Sequence, residues 1–196
     1  MALKFWTNQT VQLQSAIGAA QTITGISKAS PGVVTTSGTA PVNGNYVLLE
    51  VSGMQQVNYR LFKVAGVSGL TFNIGVDTTL FSTFTTGSFK VVTLALAFNS
   101  LRDIQSSGGD PVFEDTTTIH TAENTQAIIS SAPLSFSATA DWEPTDAALI
   151  ACNTAFVNRA PRGVRMADPD GSEYLFYAYI SAPLVGADPN LSHRAD

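Results

Sequence analysis

A mainly β protein, built as an antiparallel sandwich or barrel with one packed helix, is what three features of this sequence predict. Short runs of β-branched and aromatic residues recur along the 196-residue chain, separated by Gly, Pro, Asn and Asp. Several runs alternate apolar and polar residues with the two-residue period of a strand that buries one face. A single segment carries apolar residues at helical spacing between a start and a stop signal.

The predicted strands fall at 21–28, 32–36, 46–51, 60–64, 70–74, 89–98, 116–121, 126–130, 134–142, 163–166 and 173–181. Within 134–140, Leu134, Phe136, Ala138 and Ala140 share one face, and Ser135, Ser137 and Thr139 share the other. That spacing predicts one buried side and one hydroxyl-lined side. In 173–181, Tyr174, Phe176, Ala178 and Ile180 oppose Leu175, Tyr177 and Tyr179, so cover on both faces is expected. The helix is predicted over about 144–159. Pro144 and Asp146 supply its start, and Leu149, Cys152 (or Asn153) and Phe156 its apolar stripe. Arg159 closes its last turn, and Pro161 and Gly163 end it. Residues 106–111, rich in Ser and Gly, read as a mobile connection, because neither a lysine nor a helix follows as a phosphate loop requires.

Only 13% of the residues are charged, against about 25% in an average soluble domain. The 22 threonines and 18 serines take up part of that role, and extensive cover by partners would take up the rest. The 44% hydrophobic content and net charge of −5 exclude intrinsic disorder. A pI near 4.8 argues against a nucleic-acid binder, which needs clustered Lys and Arg. Charge is also uneven. Residues 103–146 hold eight acids and no Lys or Arg, whereas Arg159, Arg162 and Arg165 form a small basic cluster. This is a pattern in which copies meet head to tail. The N-terminal residues lack the apolar stretch of a secretory signal, and no run is long enough to span a bilayer, so no stable membrane insertion is expected.

No motif for catalysis, metal binding or a cofactor stands out. Cys152 is the one cysteine, and His120 and His193 are the only histidines. Asp168, Asp170 and Glu173 surround a glycine in a spacing that suits a turn rather than a calcium loop. Glu114 and Asp115, as strand neighbours, would point to opposite faces and could not act as a pair of catalytic acids. Asp141 and Glu143 could share a face, but nothing marks a groove around them. The expectation is a non-enzymatic protein.

The landmarks resemble those of the tail tube (major tail) proteins of long-tailed bacteriophages. They are the stretch Asp110-Pro-Val-Phe-Glu-Asp-Thr-Thr-Thr-Ile-His120, then Ser135-Phe-Ser with Asp141-Trp142, the helix from Asp146 to Phe156, and Gly171-Ser-Glu-Tyr-Leu-Phe-Tyr-Ala-Tyr-Ile-Ser181. The segment 21–88 is similar to a small β module, the half-domain named after the first catalytic cysteine region of ubiquitin-activating enzymes. Its carrying residues include Ile23-Thr-Gly-Ile, Gly44-Asn-Tyr-Val-Leu-Leu and Asn58-Tyr-Arg-Leu-Phe-Lys-Val64, although the segment has no cysteine. The resemblance implies a tail-tube sandwich over 1–20 and 89–196, with 21–88 inserted on the tube exterior.

It further implies a virion protein, made in the bacterial cytoplasm, that assembles with itself into stacked hexameric rings. Other tail proteins would meet the tube ends, and the genome DNA would pass through without specific binding. Candidate lumen or inter-subunit residues are Asp103, Asp110, Glu114, Asp115, Ser135, Ser137 and Thr139. The loop 103–120 is the candidate for contact between rings or subunits. Arg159, Arg162 and Arg165 are the candidate basic interface. The competing reading is a stand-alone carbohydrate- or surface-binding β-sandwich that uses its tyrosines.

Overall fold

The computed structural model describes residues 9–118, 123–141, 143 and 145–180. The strands follow in chain order as β1 (Thr10–Ile17), β2 (Gln21–Ile26), β3 (Val33–Thr36), β4 (Tyr46–Ser52), β5 (Arg60–Lys63), β6 (Ala65–Ser68) and β7 (Thr71–Asn73). Then come β8 (Thr86–Ala97), β9 (Leu101–Ser107), β10 (Pro111–Asp115), β11 (Gln126–Ser131) and β12 (Ser135–Ala140). The helix α1 (Ala147–Val157), β13 (Arg162–Ala167) and β14 (Glu173–Ala178) complete the series. The mainly β, antiparallel class expected from the sequence is what the chain adopts. The expectations for Ile119 to Thr121, Trp142, Pro144 and the chain from Ser181 onward lie outside the described residues.

Two compact units divide the chain, one of residues 1–98 and 144–196 and one of residues 99–143. In the first, β8 organises a ten-stranded antiparallel sheet. Its early residues pair with β2 and its later ones with β1, while β4 runs along its other edge from Tyr46–Val92 to Ser52–Thr86. Pairing continues from β2 to β3 to β7 to β6. The chain runs from β5 into β6 through Val64 alone, and β5 pairs with β4. The chain thus leads from β6 back to β5, β4 and β8, although among the described residues no ladder joins β5 to β6 and β6 remains an edge.

The run Tyr46-Val-Leu-Leu-Glu-Val51 is buried on both faces because it serves two interiors. Val47, Leu49 and Val51 join Phe62, Phe72 and Phe89 in the larger core, where the Phe72 and Phe89 rings meet edge to face at 5.2 Å. Leu48, with Leu61, Val92 and Leu94, forms a smaller core against Leu175 and Tyr177 of β14. Period-2 alternation along β4, β5 and β8 thus splits neighbouring residues between two clusters. Some hydroxyls also work inside. The buried Thr78 donates to the Ser27 carbonyl at 2.7 Å and accepts from the Ala29 N–H at 3.1 Å.

The helix starts where an N-cap dictates. The Asp146 carboxylate accepts from the N–H groups of Ala148 (2.8 Å) and Leu149 (3.4 Å). The helix packs against β1 and β8 through the buried Ala148, Leu149 and Ala155. Phe156, expected in the core stripe, is only half-buried. Arg159 lies beyond the last turn in a left-handed conformation (φ 49°) rather than closing it.

The second unit is a nested hairpin. β9 pairs with β12, β10 pairs with β11, and the chain turns between the two levels at Gly108 and Gly109. Gly109 N–H donates to the Ala132 carbonyl (3.0 Å), and Ala132 N–H to that of Asp110 (2.8 Å), so the two levels form one two-stranded arm. Gly108 has φ +91°, and a Cβ there would collide with the Pro133 carbonyl oxygen, so no other residue fits the bend. The connection expected at 106–111 is therefore a shaped corner between strands. Of the strand expected at 116–121, residues 116–118 are not in a strand, and β10 lies just before them.

Candidate functional surfaces

The register of the β9–β12 ladder gathers four of the candidate wall residues on one face. Ser135 stands opposite Ser107, Ser137 opposite Gln105, and Thr139 opposite Asp103. The Ser107 and Ser135 hydroxyls are 2.8 Å apart, and Gln105 Nε2 donates to Asp103 Oδ2 at 2.9 Å. This face is a continuous strip of hydroxyl, amide and carboxylate with no cation. The opposite face carries Ile104, Phe136 and Ala138, with Ser106 opposite Phe136. Leu134, which was expected on a buried side, is 57% exposed, and every residue of β12 except Ala140 is exposed. The alternation is as the sequence says, but the apolar side is exposed.

The outer level of the arm continues the pattern. Phe113 pairs across the ladder with Ile128, and they are 53% and 65% exposed, with Ile129 beside them at a register shift. Glu114 and Asp115 lie on opposite faces, and Asp110 sits at the corner between levels, so the seven candidate residues do not form one surface. The Asp115 carboxylate accepts from the Thr117 backbone N–H (2.8 Å), and its hydrogen bonds to Thr117 hold its pKa below the usual carboxylate value. Residues 99–143 contain seven acids against one arginine, Arg102, which is paired with Asp141 at 2.8 Å. A two-stranded ribbon with both faces wet and both long edges unpaired is marginal alone in water, so this element is built to be covered.

The expected basic cluster is not one patch. Arg162 and Arg165 alternate along β13 and face opposite sides of the sheet. Arg165 is occupied internally. Its Nη2 donates to Glu173 (2.7 Å), its Nη1 donates to Gln12 (2.6 Å), and its guanidinium lies over the Tyr46 ring at 5.8 Å. Glu173 also receives Lys63 Nζ (3.0 Å) and the Tyr46 hydroxyl (3.1 Å). Burial raises the pKa of this carboxyl, but the Arg165 and Lys63 partners outweigh burial and hold it below the usual value. Arg159 is exposed, and the buried Arg162 Nε has no hydrogen-bond partner among the described residues.

Burial pushes the Cys152 thiol up to about 11, which suits a packed side chain rather than a nucleophile. Among the described residues no group of three or more His, Cys, Asp or Glu side chains could hold a metal ion. No helix of the described residues is long and apolar enough to cross a membrane. The exposed tyrosines do not sit on one element, because Tyr174 is in β14, Tyr179 follows its end and Tyr59 precedes β5. What the geometry does define is a β-structured protein that presents an incomplete, partner-seeking ribbon.

Residues 52–192, more than half of the chain, match the family described as phage tail tube protein, TTP. The chain therefore belongs to the phage tail tube protein family, a structural component of the virion tail that assembles with itself and with other tail proteins. No curated protein matches it at the level of sequence. The family match begins inside 21–88, and β8 crosses the expected boundary at 88/89. The likeness of that segment to a module of ubiquitin-activating enzymes has no support. Its strands are continuous in pairing with β8, a strand of the family match.

Proposed function

We propose that this chain polymerises as stacked rings, six copies to a ring, into a tube that conducts DNA. The observation that carries this reading is the arm: two strands, open on both edges, apolar on one face and lined by Asp103, Ser135, Ser137 and Thr139 on the other. Edge-to-edge pairing between copies satisfies the unpaired ladders by closure. A face without cations suits a wall past which a polyanion slides, because phosphate binding comes mainly from Lys and Arg. The strands of 21–88 pack around a core of their own, and that segment suits the tube exterior. Function then lies in geometry and charge, and no bond is made or broken.

Negative-stain microscopy of the purified chain tests this. Rings or tubes of uniform width are expected, and a persistent monomer supports instead a stand-alone surface-binding module. That second reading has only the exposed Tyr174 and Tyr179 in its favour.

A further inference from the structure

The helix α1 is apolar on both sides. Its inner side holds Ala148, Leu149 and Ala155 against the strands. Its outer side holds Ala147, Ile150, Thr154 and Val157, all exposed, with Ile150 at 49% and Val157 at 68%. The one hydroxyl in that stripe is satisfied internally, since Thr154 Oγ1 donates to the Ile150 carbonyl at 2.9 Å. No charged residue occurs from Ala147 to Val157. A helix apolar all round belongs in an interior, and this one has only half of one.

We propose that this outer stripe is the seat for the Phe113–Ile128 end of the arm of a second copy. The inference rests on the self-assembly reading above and names the surface that receives the arm. Three features support the match. Both patches are apolar and uncovered within their own units. Ile150 to Val157 spans about 10 Å of helix, which suits a cross-strand pair and its neighbours about 7 Å along the ladder. Charge is complementary at the same end. Asp115 lies on the Phe113 face two residues along, and the exposed Arg159 lies two residues beyond Val157. Helix and arm are different surfaces, so the contact is head to tail. Such contacts propagate into rings or open stacks rather than stopping at a dimer.

The test uses two full-length variants, Ile150→Asp with Val157→Asp in the helix and Phe113→Asp with Ile128→Asp in the arm. Sedimentation is measured at a concentration where the wild type assembles. Each variant alone should remain monomeric with a melting temperature close to that of the wild-type monomer. Their equimolar mixture should form a 1:1 complex, because one intact seat meets one intact arm. A helix variant that assembles like the wild type overturns the proposal, as does a mixture that stays monomeric, the result expected if the arm seats on its own helix. A wild-type chain that never assembles overturns the self-assembly reading itself, a distinguishable outcome. Charge exchange gives a second route should the helix variant not fold. Arg159→Glu and Asp115→Arg should each weaken assembly by roughly tenfold, and the two together should restore it; no restoration counts against the contact.

Discussion

Glu173 shows how much one residue can hold together. It joins β14 to β13 through Arg165, and to β4 and β5 through Tyr46 and Lys63, beside the smaller core. Its pKa is depressed in the folded state, so its contribution is present above the ordinary carboxylate range near 4.3 and is lost as pH falls through the folded value. Glu173→Gln should therefore lower stability at neutral pH by about 1–3 kcal/mol and flatten the loss between pH 5 and 3, as read by melts across that range. Gly163 matters for the opposite reason, a lack of room. A Cβ there would lie 3.0 Å from Leu61 Cδ1 and 3.3 Å from both Leu94 and Val92, so Gly163→Ala should cost about 1–3 kcal/mol by denaturant unfolding. Leu149→Ala should cost about 2–5 kcal/mol, and Phe156→Ala less, because its ring is only half-buried.

Among the elements, the strands with β-branched and aromatic runs were legible, because such residues pack well on a pleated, half-buried surface. The limits of legibility have physical causes. β12 alternates as expected, yet its apolar side is exposed, because the pattern encodes a covered face without saying which molecule covers it. β10 was hidden by Pro111, Glu114 and Asp115, residues disfavoured in strands and tolerated here at an open edge. The threonines after Asp115 read as strand by propensity, but Thr116 and Thr117 instead hydrogen-bond with Thr125 beyond the last ladder pair. The three arginines do not form one patch because nearness in sequence is not nearness on a sheet: odd and even positions of β13 face apart. For the arm itself, replacing residues 111–131 with an Asn-Gly turn should leave the first unit's melting temperature unchanged and abolish assembly in sedimentation. Gly108→Val should raise amide exchange along β9 and β12 while leaving β4 and β8 protected.

At the scale of the whole molecule, the scarcity of charge and the acidic second half fit a protein whose surface is largely shared with copies of itself. If the strip of Asp103, Ser135, Ser137 and Thr139 lines a channel, two lysines there should convert a slippery wall into a binding one. Tubes of Ser137→Lys with Thr139→Lys should retain duplex DNA at low salt and release it as salt rises, whereas wild-type tubes should retain none under either condition, as measured by co-sedimentation.

The double use of β4, β5 and β8 bears on how the first unit comes apart. Leu48 and Leu49 are consecutive in the chain but belong to different interiors, and these strands are the partition between them. The partition cannot fall without opening both chambers. Heat or denaturant strong enough to break β4 from β8 should therefore empty the two together.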